Sequence, residues 1–146
     1  DGSFTPVSPQ TAGIALRGDF RSLAIPDMDG DGRPDLALAR NDGPPAFLLL
    51  DSSAVPSGHR HLRISLQGPP GNPDALGTRL SLSYADGSSL ALEPHAGGSY
   101  LASAPASITV GIHPENPPQL LHLRRPDGSE ATLPIPEENE LLVPIP

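Results

Sequence analysis

The sequence predicts an all-β protein, and three observations carry that reading. No Pro- and Gly-free stretch of ten or more residues holds a 3.6-residue apolar repeat, which a helix requires. Short apolar runs instead alternate with polar residues at period two, the spacing of a half-buried strand. Pro (20) and Gly (15) punctuate these runs and together make 35 of the 146 residues, against about 12% in an average protein. Each costs about 1–3 kcal/mol inside a helix. Hydrophobic residues are 36% of the chain and fall in separated clusters, as in a folded rather than a disordered chain.

Taken in order, residues 22–25, 36–39 and 47–50 are three short apolar segments, and the most acidic stretch lies between the first two. A Pro/Ser/Gly-rich patch follows, as in a linker. Leu80, Leu82 and Tyr84 then alternate with polar residues and lead into Asp86-Gly87, after which come Leu90 and Leu92. Ile108, Val110 and Ile112 form the next run. Leu121 and Leu123 precede Asp127-Gly128, then Ala131, Leu133 and Ile135, and finally Leu141, Val143 and Ile145. Asp-Gly between alternating apolar runs marks a hairpin, because both residues tolerate positive φ. Residues 78–94 and 120–135 are therefore two predicted hairpins of an antiparallel sandwich. Pro134, Pro136, Pro144 and Pro146 send the last two strands to sheet edges, since proline cannot donate to a central ladder. The predicted organisation is a β unit over residues 1–52, a linker over 53–60 and a β domain over 61–146.

Composition excludes several function classes. The net charge is −8, whereas nucleic acid and anionic membranes call for clustered Lys and Arg. No apolar run reaches the 18 residues of a membrane span, so no membrane insertion is expected. Cysteine is absent, which removes disulfide scaffolds and thiolate metal sites. No G-x-S-x-G elbow is present for a serine hydrolase. The acidic residues from Glu93 to Glu140, including Glu137-Glu138-Asn139-Glu140, show no marked catalytic pair. An enzyme is not expected.

One motif carries chemistry. Asp27-Met28-Asp29-Gly30-Asp31-Gly32-Arg33-Pro34-Asp35 reads D-x-D-x-D-G-x-x-D. Curled around a point, it directs the carboxylates of Asp27, Asp29, Asp31 and Asp35 and the Arg33 carbonyl at one cation, with Gly32 allowing the turn. Hard oxygens in this number suit Ca²⁺ rather than Mg²⁺. Without a cation, carboxylates about 4 Å apart repel by about 1–4 kcal/mol per pair. Position 12 of the pattern is Leu38, not the bidentate Glu of an EF-hand, and no helix follows, so the loop joins two strands.

With Leu23-Ala24-Ile25-Pro26 before it and Asp35-Leu36-Ala37-Leu38 after it, residues 4–50 resemble an FG-GAP/VCBS-type repeat. The resemblance implies a single blade of a β-propeller with Ca²⁺ in this loop. The remainder resembles an ASPIC/UnbV domain through Asn72-Pro73-Asp74-Ala75-Leu76-Gly77-Thr78-Arg79-Leu80, Gly97-Gly98-Ser99-Tyr100-Leu101, Val110-Gly111 and Arg125-Pro126-Asp127-Gly128. Arg125 and Val110 stand where that family usually carries aromatics, so the family's aromatic surface is reduced. The pair implies a secreted, Ca²⁺-associated context, extracellular or at the cell surface, and no particular activity.

Other motifs are weaker signals. Arg17-Gly18-Asp19 is the integrin-ligand tripeptide and also reads as the lead into the repeat. His59 and His61 share a face if they lie on one strand, and His95, His113 and His122 are further imidazoles. Tyr84 and Tyr100 are the available sugar platforms, and the register of Tyr84 with Leu80 and Leu82 sends it to the core. A lone blade leaves open edges. Neighbouring copies covering one another would give a homo-oligomer, or a fibre if the contact is head-to-tail. Residues 4–16, with Val7, Ile14 and Leu16, offer a strand to their own sheet or a neighbour's. The expected function is a non-enzymatic, self-assembling structural or adhesive module, with an extracellular polysaccharide or surface protein as a further partner. The alternative is a carbohydrate-binding or accessory C-terminal module of a larger secreted propeller protein.

Overall fold

The structure, a computed structural model, describes residues 3–51, 53, 55–97 and 106–146. Among these, regular structure is all β, in ten strands: β1 Phe20–Ala24, β2 Leu36–Arg40, β3 Ala46–Leu48, β4 Arg60–Gln67, β5 Arg79–Tyr84, β6 Ser89–Leu92, β7 Ser107–Ile112, β8 Pro118–Arg124, β9 Glu130–Pro134 and β10 Glu140–Pro144. No helix of the described residues is long and apolar enough to cross a membrane. The strands form three sheets, ordered β1-β2-β3, β10-β4-β7 and β6-β5-β8-β9.

The second and third sheets pack face to face. Strict alternation in β4 sends Leu62, Ile64 and Leu66 inward. Val110 and Ile112 join them from β7, Val143 from β10 and Ile145 just beyond it, and all meet Leu80, Leu82, Leu121 and Leu123 of the facing sheet in one apolar cluster. Tyr84, Leu133 and Leu141 pack against this cluster. Burial of so many aliphatic side chains, at about 1.5–3 kcal/mol each, is the main force holding this part together.

Both hairpins form where the Asp-Gly turns stand. Ser83 pairs with Ser89 across Asp86-Gly87, and Arg124 pairs with Glu130 across Asp127-Gly128. Gly87 and Gly128 take φ of 81° and 85°, as such turns require. β9 and β10 lie at sheet edges, where their prolines cost no ladder bond. The sandwich differs from the antiparallel expectation in one pairing. β10 runs parallel to β4, Leu141 opposite Ile64 and Val143 opposite Leu66. The reversal follows from the route of the chain, which crosses from β9 in one sheet to β10 in the other. Arg60 fixes the crossing by donating to the carbonyls of Pro136 (3.0 Å) and Glu138 (3.2 Å).

The first sheet is an antiparallel meander with a bulge between Phe20 and Ser22. It contributes nothing to the apolar cluster. Its buried side chains are Ser22 and Asp35, both polar, while Leu23, Phe47 and Leu49 are exposed. Residues 4–16 form no strand on this sheet. They carry a turn closed by the Ala12 N–H on the Ser8 carbonyl (2.9 Å), and Phe4 is 97% exposed.

Candidate metal centre

The acidic motif occupies the connection from β1 to β2, as the pattern predicts. Short aspartate side chains shape it by accepting backbone N–H groups two to five residues on. Asp27 takes Gly30 on Oδ1 (2.8 Å) and Gly32 on Oδ2 (3.0 Å). Asp29 Oδ1 takes Asp31 (3.1 Å), and Asp31 Oδ1 takes Arg33 (2.8 Å). Gly32 turns the chain with φ of 85°.

Asp35 is placed differently. It is 1% exposed, and its two oxygens accept the N–H groups of Met28 and Leu50, each at 2.9 Å. Its own N–H donates to Pro26 (2.6 Å). One carboxylate thus fastens the start of the loop and the chain after β3 to the head of β2.

Oxygens of Asp27, Asp29 and Asp35 all lie within 4.8 Å of one another. Ca²⁺–oxygen bonds of 2.3–2.6 Å span oxygens up to about 5 Å apart, so each pair of these oxygens lies within the span of one ion. The donor set, hard carboxylate oxygens with spare lone pairs, fits that ion. The structure brings together three of the four aspartates singled out. Asp31 stands outside the group, its Oδ1 engaged with Arg33. Arg33 contributes that N–H, and its Nη1 is buried with no hydrogen-bond partner.

Two further residues stand at the site: Arg63, which the sequence does not single out, and His61, which it marks only for sharing a face with His59. Arg63, on the outward row of β4, donates from Nη2 to Asp27 Oδ2, and its Nη1 lies 3.6 Å from Glu140 Oε1. Beside it, His61 covers Gly32 so closely that a Cβ there would stand 2.3 Å from Nε2. Alternation along β4 marks both as facing away from the core, and that is the only signal the sequence holds. The pair also sets the local electrostatics. Burial works against the Asp27 anion, but hydrogen bonds from Arg63, Gly30 and Gly32 outweigh it and hold its pKa below 3.8. The pKa of His61 falls below 6.5, chiefly by burial and then by the charges of Arg33 and Arg63, against the pull of Asp31 and Asp27. A cleft of about 810 Å³ opens alongside, between Ile25, Pro26 and Arg33 on one wall and Arg63 and Thr109 on the other.

The remaining candidates disperse. His59 precedes β4 and stacks edge-on against His113, ring centres 4.5 Å apart. His122 bridges Ser83 (3.2 Å) and Thr132 (3.1 Å) on the outer face of its sheet. Asp19 of Arg17-Gly18-Asp19 is held by Arg21 (2.8 Å) at the start of β1. Tyr84 packs on the core. Tyr100 and the Gly98-Ser99 pair lie outside the described residues. A scan against protein-family models matches none, and a search of curated proteins finds no relative.

Proposed function

We propose that the protein is a non-enzymatic, extracellular Ca²⁺-binding structural module, its first sheet being a blade-like unit that the ion stabilises. The observation that carries this is the convergence of Asp27, Asp29 and Asp35 within 4.8 Å on a loop joining two strands. Those three carboxylates hold the ion. Asp31 and the Arg33 carbonyl complete its shell if the loop tightens around it. The ion supplies charge neutralisation, and by mass action it stabilises whichever state binds it. The apolar side chains exposed on the first sheet and on residues 4–16, among them Phe4, Val7, Leu23 and Phe47, support a further role in assembly with other copies.

Asp29 is the ligand to remove, since its side chain makes one local bond and no long-range one. Asp29→Ala lowers the melting temperature in Ca²⁺ and leaves it nearly unchanged in chelator. Equal losses in both conditions refute the ligand role.

A further inference from the structure

We propose that Arg63 is the acidic loop's own counter-cation, that an arriving Ca²⁺ competes with it for Asp27, and that filling the ion site therefore loosens the loop's hold on β4. The inference rests on the Ca²⁺ reading of the loop and deepens it, because it says what sets the affinity of that site and what ion binding does to the rest of the molecule.

The argument begins with lone pairs. A carboxylate offers about four acceptor positions, two on each oxygen. Asp27 Oδ2 spends both of its own, one on the Gly32 N–H (3.0 Å) and one on the Arg63 guanidinium. Oδ1 spends one on the Gly30 N–H (2.8 Å). The Gly30 and Gly32 bonds are the loop's own turns and persist as long as the loop does. The Arg63 bond comes from 36 residues away, so it is the one that can be given up without unmaking the loop.

Charge leads to the same place. Among the described residues, Arg63 is the one basic side chain ion-paired with the Asp27, Asp29 and Asp35 group. A guanidinium and a divalent ion on one carboxylate repel each other, strongly where water is partly excluded. Arg63 also has somewhere to go. Its Nη1 already lies 3.6 Å from Glu140, whose side chain is largely exposed. Ion and arginine thus compete, and the coupling is reciprocal: whatever strengthens the Arg63–Asp27 pair weakens the metal by the same factor. The competition lowers the affinity of the site for the ion.

Calcium titration of the whole chain by calorimetry tests this, with Arg63→Gln beside the wild type. The substitution removes the charge and should tighten Ca²⁺ by about tenfold. Equal or weaker binding overturns the proposal. NMR of the Arg63 guanidinium in the wild type gives a second readout that does not depend on how the variant folds. Its Nε–Hε signal should move as Ca²⁺ is added, and a signal that stays put while the ion binds also overturns it. Failure of the underlying reading looks different: neither protein binds Ca²⁺ at all, and both ideas are lost together.

Discussion

The first sheet and the sandwich solve the same problem with different forces. The sandwich buries an aliphatic cluster drawn from five of its seven strands, with Leu62, Leu82 and Leu121 fully inaccessible. The first sheet buries Ser22 and Asp35 and leaves Leu23, Phe47 and Leu49 in solvent. Its order comes from backbone ladders, from the bonds that Asp35 makes to Met28 and Leu50, and from the Arg63–Asp27 pair that ties it to β4. An apolar core is insensitive to ions and to mild acid. A sheet held by carboxylates is sensitive to both.

The largest effect expected from breaking this contrast lies in the sandwich. Leu62→Ala removes a fully buried side chain at the centre of the cluster and should cost about 2–5 kcal/mol. Leu23→Ala, on the exposed part of the first sheet, should fall within about 0.5 kcal/mol of the wild type. Urea unfolding measures both, and comparable losses would show that the first sheet has an apolar core of its own.

Asp35→Ala comes next. It leaves the Met28 and Leu50 N–H groups without the carboxylate they donate to in partly buried bonds, at up to about 1–3 kcal/mol each. The loss should be local. Amide exchange at Met28 and Leu50 should speed up while the amides of β5 and β8 keep their protection. A sandwich that loosens along with the loop would mean that the two regions unfold as one.

The hairpins were legible because their signals are local. Asp86-Gly87 and Asp127-Gly128 each sit between runs that alternate toward one face, and the prolines of β9 and β10 name the edges. The parallel pairing of β10 with β4 was not legible. Val143 and Leu66 meet across most of the domain, and no spacing in the sequence encodes a chain that changes sheets. The acidic loop divides the same way. Its turns follow from Asp and Gly at fixed offsets, but the direction of each carboxylate does not, which is why Asp31 could not be told from Asp29. Arg63 and His61 were hidden for a further reason: alternation says that they face away from the core, not what they face.

Acid gives the smallest and most discriminating test. Asp27, in chelator, is held below 3.8 by Arg63 and the loop's N–H groups, which outweigh the burial opposing them. Asp86 is held below 3.8 by the hydroxyl and N–H of Ser88, and Asp127 likewise by Ser129. In each case the unfolded chain takes up the proton first as pH falls. The stabilisation is therefore complete above the ordinary carboxylate value and drains away as pH drops through the lower folded one. All three groups are shifted in the same direction, but what lies beneath them differs. Protonating Asp86 or Asp127 loosens a turn on a sandwich that keeps its aliphatic cluster. Protonating Asp27 removes the ion pair from a sheet with little apolar burial to fall back on. Amide exchange followed from about pH 5 to pH 3 should show β1 and β2 losing protection ahead of β5 and β8, and Arg63→Gln should shrink that lead because the pair it feeds is already gone.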